Sequence, residues 1–99
     1  MQDSILSHLE TLIAQRRAER PEGSYTTYLF EKGQDKILKK IGEEAAETII
    51  ASKNHSREEL VYEASDLIYH LLVLLAHHEI PFAALEAELE RRHIEGKEQ

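Results

Sequence analysis

Hydrophobic positions follow a helical period along most of this chain. Ile5, Leu6, Leu9, Leu12 and Ile13 recur with the spacing of an amphipathic stripe. Asp3 or Ser4 suits the N-cap of this first helix, Arg16, Arg17 and Arg20 suit its C-terminal dipole, and Pro21 stops it. Residues 21–33 contain Gly23, Ser24 and Gly33 and read as the one substantial loop, whose apolar middle (25–30) has room for a short helical turn. The helical period resumes at Gln34 through Ile37, Leu38, Ile41, Ala45, Thr48 and Ile49, and ends near Asn54. Ser56, with Glu59 three residues on, is a capping box that opens a helix running to about His78. Pro81 begins a last helix with Phe82, Leu85 and Leu89 on one face, and Gly96 ends it.

No strand-like alternation, hairpin dipeptide or internal repeat interrupts this pattern. It predicts an all-α bundle of four helices, five if the turn within 25–30 is counted, with short antiparallel connections. The helix after Ser56 is unusually broad in its apolar surface. Leu60, Val61, Ala64, Leu67, Ile68, Leu71, Leu72, Leu74 and Leu75 cover one side, and Tyr62, Tyr69 and Val73 add apolar area on the other. One chain has too few other helices to cover it from all sides, so the pattern predicts a bundle completed by dimerisation.

Composition narrows the field. Ninety-nine residues, 41% hydrophobic and 31% charged, fit a single globular domain over 1–99. The absence of cysteine excludes disulfides, thiolate metal sites and a cysteine nucleophile. The longest unbroken apolar run, 71–76, is too short to cross a bilayer, and the first ten residues have no basic leader. A cytoplasmic protein without a membrane partner is expected. A net charge of −7 argues against nucleic acid as a partner.

That charge is unevenly placed. Residues 1–42 carry a net +1, residues 43–66 carry −5, and residues 67–99 carry −3. The acidic stretch holds two carboxylate pairs at helical i, i+3 spacing, Glu44-x-x-Glu47 and Glu63-x-x-Asp66. Like charges so placed repel. On two antiparallel helices, both pairs border the apolar seam and could converge on one point. Such a cluster is costly alone and favourable around a hard divalent cation, Mg²⁺, Mn²⁺ or Ca²⁺. A solvated acidic face with no ligand is the bland alternative. Two features favour the cation: neither pair has a Lys or Arg at its own i+4 position, and Lys32, Lys36, Lys39 and Lys40 run beside the acids. Cation and lysines together are what a polyphosphate requires. The histidines carry less weight; His70 and His77 share the acidic flank, where a satisfied or exposed ring is the commoner outcome.

The run Gly23-Ser-Tyr-Thr-Thr-Tyr-Leu-Phe-Glu-Lys-Gly33, then Lys36, Lys40-Ile-Gly-Glu-Glu-Ala-Ala-Glu47 and Glu63-Ala-Ser-Asp66-Leu-Ile-Tyr-His70, closely resembles the phosphoribosyl-ATP pyrophosphohydrolases. These belong to the all-α, MazG-like nucleotide pyrophosphohydrolases, marked by Glu-x-x-Glu followed by Glu-x-x-Asp. The resemblance extends from the first helix to about Leu89. It implies Mg²⁺-dependent hydrolysis of the α–β phosphoanhydride of phosphoribosyl-ATP, the second step of histidine biosynthesis, with Mn²⁺ as a substitute. It further implies that Glu44, Glu47, Glu63 and Asp66 hold the metal, with Glu44 or Glu47 orienting the attacking water. Lys40 and Lys36 would neutralise phosphate, while Lys32 and the Tyr25-Thr26 loop close over the substrate. Relatives fused to a cyclohydrolase are common in this family, and this chain reads as free-standing. A homodimer or higher homo-oligomer with active sites near the subunit interface is expected.

Two other readings fit the same residues. A house-cleaning nucleoside triphosphate pyrophosphohydrolase of the same superfamily would share the four carboxylates and differ in the loop around Tyr25. A non-catalytic helical dimerisation module would use the acids only for solubility.

Overall fold

The computed structural model describes residues 4–96 and contains five helices and no strand among them. They are α1 (Ile5–Glu19), α2 (Tyr25–Lys32), α3 (Gln34–Lys53), α4 (Arg57–His77) and α5 (Phe82–Ile94). Ser4 caps α1, its side chain accepting from the Ser7 N–H; Asp3, the other candidate, lies outside the described residues. Arg20 ends α1 in the left-handed region, at φ 51°, and returns its N–H to the Arg16 carbonyl.

The expected loop is largely helix. Ser24 accepts from the Thr27 N–H and starts α2, whose Thr26, Thr27, Leu29 and Phe30 are buried. Leu29 and Phe30 join Ile13, Ile37, Leu72 and Val73 in the core, and that burial holds an eight-residue helix too short to persist alone. Gly33, at φ 94°, breaks the helix and lets α3 start at once.

Three residues, 54–56, turn α3 back along α4, and these two helices form the longest contact in the molecule. Ser56 accepts from the Glu59 N–H as its capping box requires. The Glu59 carboxylate, however, accepts from the Asn54 side chain at 3.0 Å, so the box is completed sideways. Far along the chain, α5 begins after Pro81, and its first N–H, from Phe82, donates to the Glu10 carboxylate of α1 at 2.7 Å.

Burial departs from the sequence pattern in an informative way. Val73, assigned to the minor side of α4, is fully buried, whereas Val61, Ile68 and Leu71 of the broad apolar side are 54%, 46% and 40% exposed. At about 100° per residue, Glu63, Asp66 and His70 lie across the helix from those three. The face of α4 that carries the polar groups is thus turned to its own chain, and much of the apolar face is open. No residue of α5 is buried. By length and composition α4 could also cross a membrane, a property invisible in the short run 71–76. Two of its four acids, Glu63 and Asp66, converge instead with Glu44 of α3, a placement that hydrocarbon would penalise.

Candidate active site

The site is built where α3 and α4 run side by side. Glu44 lies in register with Ile37 and Ala51, seven residues before and after it, and all three are buried. A carboxylate therefore occupies the middle of the α3 seam, 4% exposed, and not its border as the periodicity suggested. Leu38 and Ile49, which drew the expected apolar centre away from Glu44, are exposed. Opposite stand Glu63 and Asp66 of α4, both half-buried. One carboxylate oxygen from each of Glu44, Glu63 and Asp66 lies within 4.8 Å of the others.

Burial pushes the Glu44 carboxyl above its ordinary value, and the neighbouring Asp66 and Glu47 charges push it further. Glu63 is raised too, first by desolvation and then by Glu47, Glu44 and Asp66. Glu47 is exposed and falls outside the close trio, yet its charge acts on both Glu44 and Glu63. Lys40, one turn before Glu44, offsets part of this crowding from 3.5 Å and also reaches Glu43 at 3.6 Å. It approaches from the i−4 side, where the absence of an i+4 base gives no hint of it. Glu44 Oε2 faces Lys40, and the other oxygen, Oε1, is buried without any hydrogen-bond partner.

An unpaired, buried carboxylate oxygen costs a folded protein several-fold more than an exposed one. Here it stands beside two further carboxylates that lack a basic partner of their own among the described residues. An all-oxygen donor set of this kind suits a hard divalent cation, Mg²⁺, Mn²⁺ or Ca²⁺, in preference to softer metals.

Aromatic groups wall the other side. The Tyr25 hydroxyl lies 2.8 Å from His70 Nε2, and His70 Nδ1 lies 2.8 Å from the Asp66 carbonyl oxygen. A carbonyl only accepts, so Nδ1 carries the proton, and in the neutral ring Nε2 accepts from Tyr25. Burial raises the Tyr25 pKa; Lys40 opposes the shift while Glu44 and Asp66 add to it, which places the phenol within the field of the cluster. Tyr25 stacks on Tyr28 at 6.2 Å, and the ammonium groups of Lys36 and Lys32 sit 5.7 and 5.9 Å from the Tyr28 ring centre.

Of the residues singled out in the sequence, the fold gathers Glu44, Glu63, Asp66, Lys40 and Tyr25, with Glu47 at the edge. Lys32 and Lys36 meet one turn away. Thr26 is turned inward, 5% exposed and hydrogen-bonded to the Tyr69 hydroxyl, so it ties α2 to α4 and does not form part of a closing loop. Two members escaped the sequence. His70 is satisfied, as the common outcome for a histidine would have it, but its partners belong to the site. Its place on the acidic flank of α4, one turn after Asp66, was the signal. Tyr28 gave none.

The family model described as phosphoribosyl-ATP pyrophosphohydrolase matches residues 6–93. The histidine biosynthesis bifunctional protein HisIE of Halalkalibacterium halodurans is 62% identical over 89 residues, 90% of this chain and 42% of that protein. Its counterpart in Bacillus subtilis is 57% identical over 94 residues, covering 95% and 45%. The phosphoribosyl-ATP pyrophosphatase of Listeria welshimeri is 58% identical over 93 residues, covering 94% and 87%. The chain thus spans less than half the length of the bifunctional relatives and most of the single-function one.

Proposed function

The chain belongs to the phosphoribosyl-ATP pyrophosphohydrolase family, and we propose that it cleaves the α–β phosphoanhydride of phosphoribosyl-ATP to phosphoribosyl-AMP and pyrophosphate, in histidine biosynthesis. The observation that carries this reading is the trio of Glu44, Glu63 and Asp66 oxygens within 4.8 Å, one residue of which keeps a buried oxygen unpartnered. A solubility device has no use for a buried carboxylate, whereas a cation-binding centre does.

Glu44, Glu63 and Asp66, with Glu47 beside them, would hold Mg²⁺. When bound, Mg²⁺ supplies charge neutralisation of the phosphates and a lowered pKa for the attacking water. Glu47 is exposed and stands outside the trio, which leaves its carboxylate able to orient that water and take its proton. The water oxygen bonds to phosphorus as the bridging P–O bond breaks, and Lys40 neutralises charge on the departing pyrophosphate. Tyr25, fixed by His70, walls the cluster on the α2 side.

The reading extends to the whole chain as one cytoplasmic domain that works as a homodimer. The exposed Val61, Tyr62, Ile68 and Leu71 of α4 and Ile49 and Ile50 of α3 supply an apolar surface for the second copy. The test is pyrophosphate release from phosphoribosyl-ATP against a panel of nucleoside triphosphates, with and without Mg²⁺. Metal-dependent release from phosphoribosyl-ATP is expected; release from the panel alone overturns the proposal.

A further inference from the structure

Lys32 and Lys36 approach the same Tyr28 ring from two different helices, at 5.9 and 5.7 Å. Among the described residues neither ammonium pairs with a carboxylate, although the chain carries 19 acids and Lys40, one turn along, takes two of them. Two unpaired cations drawn to one exposed ring repel each other, and a tyrosine face repays that only weakly at an accessible site. Such a pair is relieved by an anion seated between the ammonium groups. The ring beneath is not free to swing. Tyr28 stacks on Tyr25, and Tyr25 is pinned through its hydroxyl to the buried His70.

The molecule therefore has two cationic positions of different character. Lys40 is committed to the carboxylate cluster, where a polyphosphate and its metal belong. Lys32 and Lys36 stand apart from the acids, roughly 6 Å further along α3 in the case of Lys36, from the rise of one helical turn. We propose that Tyr28, Lys32 and Lys36 form a second anion subsite, which takes a phosphate monoester carried on a ribose. Tyr28 is its floor and the two ammonium groups are its donors. Resting on the function proposed above, this subsite would receive the 5′-phosphate of the phosphoribosyl group, the part of the substrate that ATP lacks. Discrimination between phosphoribosyl-ATP and ordinary triphosphates would then come from binding energy realised remote from the reacting bond.

The test uses ribose 5-phosphate as probe, titrated into the whole metal-free protein and followed by NMR and by calorimetry. Without a divalent cation the carboxylate cluster repels phosphate, so the lysine pair is the place left for it. Saturable binding is expected, with shifts centred on Tyr28. It should weaken about tenfold in Lys36→Gln and more in Lys32→Gln/Lys36→Gln, the loss of one charge-assisted contact each. Ribose, which has no phosphate, should not bind. Equal affinity in wild type and double variant, or no binding in either, overturns the subsite whether or not the protein turns over phosphoribosyl-ATP. In turnover, the double variant should raise KM for phosphoribosyl-ATP by at least tenfold with little change in kcat. A fall in kcat with KM unchanged would overturn it as well. Absence of phosphoribosyl-ATP hydrolysis by the wild type, by contrast, refutes the proposed reaction.

Discussion

The Tyr25 hydroxyl and the Nε2 of His70 lie 2.8 Å apart, although 45 residues separate them in the chain. This bond joins the first turn of α2 to the fourth turn of α4, and His70 passes the constraint on to the Asp66 carbonyl. One buried ring thus sets both an aromatic wall and the backbone under a carboxylate. Replacing His70 by Phe leaves the tyrosine hydroxyl and the carbonyl to find other partners and should cost about 1–3 kcal/mol of stability. In a cycle with Tyr25→Phe, the double variant should be less destabilised than the sum of the singles by about 1 kcal/mol. Additive effects in urea denaturation would show that the two residues act separately.

Conservative removal of charge at the centre should spare the fold and abolish most of the activity. Glu47→Gln and Asp66→Asn are each expected to lower kcat/KM by about a hundredfold, roughly 2.7 kcal/mol of transition-state stabilisation. Calorimetric Mg²⁺ titration should separate the two, because Asp66 belongs to the close trio while Glu47 stands outside it. Weakened binding is expected mainly for Asp66→Asn. Wild-type kinetics in both would return the acids to the role of a solvated face.

Crowded carboxylates also set a pH dependence for the metal-free protein. Burial and neighbouring charge raise the Glu44 and Glu63 pKa values above the ordinary 4.5. Through the interval above 4.5 the folded state holds protons that the unfolded chain has released, so stability is full below that range and falls as pH rises through the raised values. Glu44→Gln should remove part of this slope and raise metal-free stability at neutral pH by about 0.5 kcal/mol. Saturating Mg²⁺ should flatten the wild-type profile by favouring the ionised carboxylates. Denaturation midpoints measured from pH 4 to 8, with and without Mg²⁺, decide the matter; a metal-free profile that rises with pH would contradict it.

The open apolar face of α4 predicts assembly. Ile68 and Tyr62 are 46% and 67% exposed in the single chain. Ile68→Glu placed at a subunit interface buries an unpaired charge, and several kcal/mol of lost association is expected. Sedimentation equilibrium should show the wild type as a dimer and the variant shifted to monomer. A variant that remains dimeric would place the contact elsewhere.

The strong Ser24 cap makes the geometry of α2 testable. Ser24→Ala removes the acceptor for the Thr27 N–H and should cost about 1 kcal/mol. Because α2 carries Tyr25 and Tyr28, hydrogen exchange should quicken across that helix before the α3–α4 pair responds. Uniform exchange throughout would mean that α2 has no stability of its own to lose.

Local chemistry settled much of this in advance. Helical periodicity, the Ser56 cap, Pro21 and Pro81 located four of the five helices, because those signals act within a turn or two of chain. Spacing alone paired Glu44 with Glu47 and Glu63 with Asp66, since residues three apart on a helix are neighbours in any fold. α2 was partly hidden: its Ser24 cap was present, but eight residues become a stable helix only when Leu29 and Phe30 reach a core supplied by other segments. Periodicity also left open which face of a helix is covered. With apolar residues on two sides, α3 and α4 could be turned either way, and the packing buried Glu44 between Ile37 and Ala51 while leaving Leu38, Ile49 and Ile68 outside. The contacts that make a site, Tyr25 with His70 and Glu44 with Glu63 and Asp66, join segments far apart in sequence. Only the relative placement of whole helices decides them.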